Sequence, residues 1–250
     1  MRDFDKENQL NIDIDFDNKD EGKKYNYEFD SIVRDYMLKT FKPYFSSGPA
    51  LEIGCYHGDS TLELQKHFDD LTVIEPSSDA IDITSKRVRS DIIFHKCMME
   101  DYQGDQKFDS IFLINTLEHV DDAVSVLNLA KNLLSNKGKL YILVPNADAP
   151  SRQIAVLMGL IETNNSVTES EYTHGHRRTY SFDTLVKDIT EASLGVESMG
   201  GIIFKGLANY QIDLALEKEI ISMDYIEASY KLGLIYPQLC ASMFAIVKNN

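Results

Sequence analysis

The pattern of apolar and polar positions divides the chain into a polar opening and a long, regularly patterned remainder. Residues 1–24 are mostly Asp, Asn, Lys and Glu with few apolar anchors, which predicts a mobile acidic leader. From Phe29 the apolar positions Ile32, Val33, Tyr36, Met37 and Phe41 recur at helical spacing. An amphipathic helix is expected there, stopping near Pro43 and lying against the main sheet. After Gly48-Pro49 short apolar runs alternate with helical patterns. Strands are predicted over 50–54, 71–75, 91–95, 109–115 and 139–146, with helices near 60–68, 78–88 and 120–134. Such alternation signals a parallel sheet with crossover helices. The third helix is expected to end at Asn136-Lys137-Gly138 in a left-handed stop.

Residues 147–178 break this rhythm with a helix candidate at 152–161 and a polar stretch at 162–173. Insertions beside strand ends often cover sites, so residues 147–180 are expected to form a lid. Beyond them the pattern predicts a helix over 181–192, an apolar run at 195–204, one long helix over 210–231 and a closing strand at 239–247. Residues 25–250 therefore read as a single domain.

Composition narrows the function classes. At 250 residues, 43% of them apolar, the chain supports one sizeable core. No apolar run approaches the roughly 20 residues of a membrane span, and the charged opening lacks a secretory signal, so the expected compartment is the cytoplasm. Cys55, Cys97 and Cys240 are widely spaced without a Cys-x-x-Cys pair, which suggests reduced thiols rather than disulfides or a zinc ribbon. A net charge of −15 repels a phosphate backbone, and no dense Lys/Arg stripe offsets it. A small molecule is the expected partner.

The chemistry concentrates at Leu51-Glu52-Ile53-Gly54-Cys55-Tyr56-His57-Gly58. An apolar strand ends in glycines, where a side chain would keep a ligand away from the backbone, and a helix follows. Ser60 and Glu63 have the spacing of a capping box at that helix start. About twenty residues after Gly54, Glu75 closes the next apolar run, where an acid can accept both hydroxyl protons of a ribose. Either feature alone is also an ordinary turn or cap. Together they point to nucleoside binding.

With these residues the chain resembles the class I S-adenosylmethionine-dependent methyltransferases of the small-molecule type, over about residues 29–248. The resemblance implies a Rossmann-like, doubly wound α/β fold: a seven-stranded, mostly parallel sheet with an antiparallel C-terminal strand and helices on both faces. It maps the family's first motif onto Glu52, Gly54 and Gly58, with Tyr56 where a middle glycine is usual, and with Cys55 and Thr61 beside the cofactor. Glu75 looks like the ribose-binding acid, with Pro76 and Ser77 beginning the adenine wall. Met99 by its backbone and Glu100 correspond to the adenine-edge segment, and Met98 stands where an acid is common. Thr116-Leu117-Glu118-His119-Val120 resembles a signature of small-molecule members, which sets Asn115 against the methionine part and His119 beside the transferring methyl. The implied cofactor is S-adenosyl-L-methionine, leaving as S-adenosyl-L-homocysteine.

Methyl transfer needs the acceptor held in line and, in some cases, its proton removed. His119 and His176 are the candidate bases; His119 reads equally as a helix-start histidine, and the cluster holding His174 and His176 reads more often as a loop cap or as an orienter of an anionic acceptor. His174, Arg177 and Tyr180, with Tyr27 on the opposite wall, are the candidate acceptor contacts. Arg178 is a further possible anion contact. His174 and His176 lack an evident accompanying cluster of metal ligands, so no metal is expected. Two other readings stand beside the enzyme: a cofactor-binding relic, and a nicotinamide-dependent oxidoreductase, for which Gly54-x-x-x-Gly58 lacks the dinucleotide spacing. The acceptor, the choice of oxygen or nitrogen, and the oligomeric state are left open.

Overall fold

The structure is a computed structural model that describes residues 27–250. The expected leader at 1–24 lies outside the described residues. Strands β1 (Ala50–Ile53), β2 (Leu71–Ile74), β3 (Ile93–His95), β4 (Phe108–Ile114), β5 (Leu134–Pro145), β6 (Leu194–Phe204) and β7 (Cys240–Asn249) form one sheet in the order β3-β2-β1-β4-β5-β7-β6. The first five are parallel, and β7 runs antiparallel to both β5 and β6.

Side chains alternate across each strand, and that alternation builds two cores. Ile111 and Leu113 of β4 join Leu140 and Ile142 on one face, under α4 (Ala123–Leu133) and α7 (Phe182–Glu191). Phe112 and Ile114 join Tyr141 and Leu143 on the other, under α1 (Glu28–Phe41), α2 (Asp59–Leu64), α8 (Asn209–Glu217) and α9 (Met223–Ile235). There the rings of Phe112 and Tyr141 stack at 4.8 Å. The remaining helices are α3 (Ser78–Ser85), α5 (Pro150–Leu157) and α6 (Glu169–Thr173). No helix among the described residues is long and apolar enough to cross a membrane.

The helix α1 begins where Asp30 accepts the Tyr27 amide (2.9 Å) and Asp213 of α8 accepts those of Glu28 and Phe29 (3.0 and 2.9 Å). A distant aspartate thus caps orphan amides that local sequence leaves open. Three expectations need correction. The Ser60–Glu63 capping box is not what starts α2: Gly58, at φ 82°, is its N-cap, and Ser60 already lies inside the helix. Gly138 does not take a left-handed stop, because α4 ends at Leu133 and the chain passes directly into β5. A side chain at Gly138 would sit 2.6 Å from the Phe108 carbonyl, so the glycine serves close backbone approach instead. The stretch 210–231 is two helices, broken after Lys218 by Glu219 at φ 54°.

In this strand order the chain reverses direction of crossover between β1 and β4. Open sheets bind ligands beyond the carboxyl ends of their strands at such a switch point.

Candidate active site

A cavity of about 570 Å³ occupies that switch point. It is lined by the ends of β1 (Ile53, Gly54), β2 (Ile74, Glu75), β4 (Ile114, Asn115, Thr116) and β5 (Pro145, Asn146).

Its first end is the turn after β1. Gly54 has φ 80° and its amide donates to the Ile74 carbonyl (2.9 Å); a Cβ there would lie 2.9 Å from Thr116 Oγ1. Glycine is required on both counts. Tyr56 also takes left-handed backbone, φ 46°, and its ring stacks on His57 at 4.0 Å and 15°. A tyrosine in that region costs about 1–2 kcal/mol. Glu75 holds the turn in place. Its Oε2 accepts the amides of Cys55 (2.9 Å) and Tyr56 (3.2 Å), and its Oε1 accepts that of Ser77 (2.9 Å). Burial pushes the Glu75 carboxyl above its usual pKa, while the three amides pull it back. Burial, then Glu75 itself, raises the Cys55 thiol far enough to keep it protonated.

The sequence-predicted cofactor residues divide. Gly54, Cys55, Tyr56, Glu75, Pro76, Met99, Glu100 and Asn115 share the cavity wall. Glu52, Gly58 and Thr61 lie outside it. Glu52 accepts a 2.6 Å hydrogen bond from the Thr61 hydroxyl beneath the turn, and burial pushes its carboxyl up to about 8. Gly58 packs against Thr84. Ser77 caps α3 by accepting the Ala80 amide (3.2 Å).

At the second end Asn115, at φ 50°, turns the chain out of β4 into Thr116–Val120. Asparagine tolerates this backbone better than most residues. His119 and His176 meet here with ring centroids 4.5 Å apart at 70°. Burial holds His119 well below the usual histidine pKa and brings His176 down to about 4, so both are neutral near pH 7. Between them and β4 lies Glu118, buried, its carboxyl pushed up to about 8 by burial. The segment carrying His176 is pinned by Arg177, whose amide donates to the Glu118 carbonyl (2.9 Å). Arg178 is committed to the carbonyls of Leu117 (3.0 Å) and Asp121 (2.7 Å), and Arg177 Nε lies 3.5 Å from the Asp121 carboxylate.

Of the predicted acceptor contacts, Tyr27, His174 and Arg177 line the cavity; Tyr180 does not, because its hydroxyl turns away to donate to Asp188 (3.0 Å). The opposite wall holds charged residues that sequence reasoning missed: Asp30, Arg34, Arg152, Glu171 and Lys205. Arg152 bridges to Glu171 (2.6 Å) and to the carbonyls of Asn164 (2.6 Å) and Ser166, tying α5 to α6. Burial lowers Lys205 to about 8 while Asp30 opposes that shift, and its ammonium donates to Asn209. No local motif marks these residues, since α1, the 147–180 segment and the position just after β6 contribute them separately.

A switch-point cavity with left-handed glycine at one strand end and a buried acid on the next defines a nucleoside-binding Rossmann-like protein of the S-adenosylmethionine-dependent methyltransferase fold. The chain belongs to a methyltransferase-domain family, whose profile matches residues 25–198. No curated protein is a significant match. Among solved structures it is similar to the N-methyltransferase NodS from Bradyrhizobium japonicum WM9 in complex with S-adenosyl-L-homocysteine: 16% identity, 90% of this chain and 89% of that one, TM-score 0.59. A possible histamine N-methyltransferase from Thermotoga maritima also matches, at 16% identity over 88% and 92% of the chains, with TM-score 0.59. So does the 1,6-didemethyltoxoflavin-N1-methyltransferase of Burkholderia thailandensis, at 13% identity over 87% and 78%, with TM-score 0.55.

Proposed function

We propose that this chain transfers the methyl group of S-adenosylmethionine to an oxygen or nitrogen of a small-molecule acceptor, releasing S-adenosylhomocysteine. The observation that carries this reading is the continuity of the cavity. One space of about 570 Å³ joins the Gly54–Tyr56 turn and Glu75 to the His119–His176 pair, which suits a cofactor and a small acceptor held together. In this reading Glu75 keeps the turn in place with its amide bonds and accepts the ribose hydroxyls with its remaining lone pairs. Pro76, Met99 and Glu100 border the adenine, and the backbone from Gly54 to Tyr56 with Asn115 borders the methionine part.

The reaction is an in-line displacement at a sulfonium carbon. The bond from sulfur to methyl breaks as the bond from acceptor to methyl forms, and the acceptor loses a proton. Position supplies most of the rate, because the reacting atoms are held near attack distance. His119 and His176, neutral by burial, stand at the acceptor end as the groups able to take the proton. Residues 147–180 act as the lid, with Arg152 fastening its two helices, and Tyr27, His174 and Arg177 border the acceptor. An acceptor enclosed in this way, in a chain of charge −15, is a small molecule rather than nucleic acid. The three cysteines, none of them in a disulfide, suit the cytoplasm.

Calorimetric titration tests the reading. S-adenosylhomocysteine should bind one to one and NAD should not; binding of NAD alone would overturn it.

A further inference from the structure

The end of β4 and the segment before α7 bring together three metal-ligating side chains that are separated in sequence. Glu118, His119 and His176 each place one ligand atom within 4.8 Å of the other two. Glu118 is 1% exposed, and neither of its carboxylate oxygens has a hydrogen-bond partner. A buried carboxylate without partners is costly unless a proton or a cation satisfies it. The neighbouring cationic side chains are already committed: Arg178 to the carbonyls of Leu117 and Asp121, Arg177 to the Asp121 carboxylate, and Arg152 to Glu171. The His119 ring hydrogen-bonds to the backbone of Gly175, the kind of outer contact that orients a ligating histidine.

We infer that Glu118, His119 and His176 form a site for a divalent transition metal of the zinc type, open towards the cavity. Two imidazole nitrogens and one carboxylate oxygen are the donor set of catalytic zinc sites and of facial iron sites, whereas magnesium and calcium prefer oxygen alone. Bonds of about 2.0–2.2 Å place tetrahedral ligands roughly 3.3 Å apart. The three ligand atoms start within 4.8 Å of one another, and Glu118 breaks no side-chain hydrogen bond in moving inward. All three residues line the cavity, so the fourth position faces the acceptor end. A hydroxyl oxygen of the acceptor bound there loses its proton to solvent near neutral pH and attacks the methyl carbon as the sulfonium becomes a neutral thioether. This use of the metal rests on the methyl-transfer reading and, where the metal is bound, replaces proton transfer to His119 and His176; metal binding itself does not rest on that reading.

The test titrates the chelator-treated full chain with Zn2+ by calorimetry, and separately with S-adenosylhomocysteine. One Zn2+ per chain is expected, with affinity at least tenfold lower in Glu118→Gln, His119→Ala and His176→Ala and unchanged in His67→Ala, whose ring is exposed. Circular dichroism checks that each variant folds. Should a ligand variant fail to fold, crystals of the unsubstituted chain soaked in Zn2+ give the answer by anomalous diffraction, with a peak expected within bonding distance of all three side chains. Absence of stoichiometric binding, retention of affinity in the folded ligand variants, or a peak confined to other residues overturns the site. Zinc binding without S-adenosylhomocysteine binding supports the site and removes the methyl-transfer reading, so the two fail separately.

Discussion

Replacing Glu75 with glutamine preserves the shape of the side chain and removes its charge. In the native turn one carboxylate oxygen takes the amides of Cys55 and Tyr56 and the other takes that of Ser77. Glutamine has a single acceptor oxygen, so its NH2 group must face either Ser77 or the Cys55–Tyr56 pair. One or two buried N–H groups then lose their acceptor and meet a donor, at about 1–3 kcal/mol, and the surviving bonds lose their charge assistance. Relief from burying a charge opposes this, since burial raises the Glu75 pKa. Three amides aimed at one carboxylate leave the balance destabilising, by about 1–3 kcal/mol. For a chain of this size that lowers the melting temperature by roughly 3–9 °C. Affinity for S-adenosylhomocysteine should fall by about 5- to 150-fold, equivalent to a similar energy at the ribose. Differential scanning fluorimetry without ligand and calorimetric titration with it measure the two effects independently. An unchanged melting temperature would refute the three-amide role. A lowered melting temperature with unchanged affinity would show that Glu75 only holds the turn and that the ribose is recognised elsewhere.

Gly54→Ala forces a Cβ to 2.9 Å from Thr116 Oγ1 at φ 80°, so it should lower the melting temperature by roughly 3–8 °C and weaken S-adenosylhomocysteine at least about tenfold; a neutral substitution would contradict the close packing. Glu52 is held up to about 8 against 4.5 in the unfolded chain, so its favourable contribution is present below about pH 4.5 and is lost as the pH rises to 8. The melting-temperature advantage of Glu52→Gln over the unsubstituted chain should therefore grow between pH 5 and 8, and a constant difference would be inconsistent with the raised pKa. Arg152→Met removes the bridge from α5 to Glu171 and to the carbonyls of Asn164 and Ser166; acceptor KM should rise about tenfold with the S-adenosylhomocysteine Kd within twofold, and equal losses would argue against a lid. His119→Ala should depress kcat by about a hundredfold or more while leaving cofactor affinity within threefold, as measured by steady-state kinetics and calorimetry.

The sheet was readable because its central strands are buried on both faces and so appear as continuous apolar runs between glycine-rich turns. All five predicted parallel strands are present, four of them within about two residues of their expected bounds while β5 starts five residues early at Leu134, and the closing strand is antiparallel as expected. The errors have two causes: a local signal overruled by a contact from elsewhere, and a break that carries no local signal. Asn136-Lys137-Gly138 has the composition of a helix stop, yet the Phe108 carbonyl of a neighbouring strand is what demands the glycine. The break at Glu219 has no proline or glycine to announce it, and only a left-handed backbone divides α8 from α9.

The two ends of the cavity differ in legibility for a physical reason. At the first end Gly54, Tyr56 and Glu75 sit on adjacent strand ends, and Glu75 reaches the turn over one crossover. Such a geometry repeats wherever this sheet topology does, so spacing alone conveys it. At the second end each group arrives by a different path: Asp30 from α1, Lys205 after β6, Arg152 from α5, and His176 from the segment that the Arg177 amide fastens to Glu118. No spacing relates these residues. His174 and His176 have no further His or Cys close by in sequence, whereas Glu118 and His119 stand just beyond the end of β4 as parts of another motif. The hydrogen bond from the Arg177 amide to the Glu118 carbonyl brings the two motifs together, so the chemistry of the acceptor end is a property of the tertiary fold.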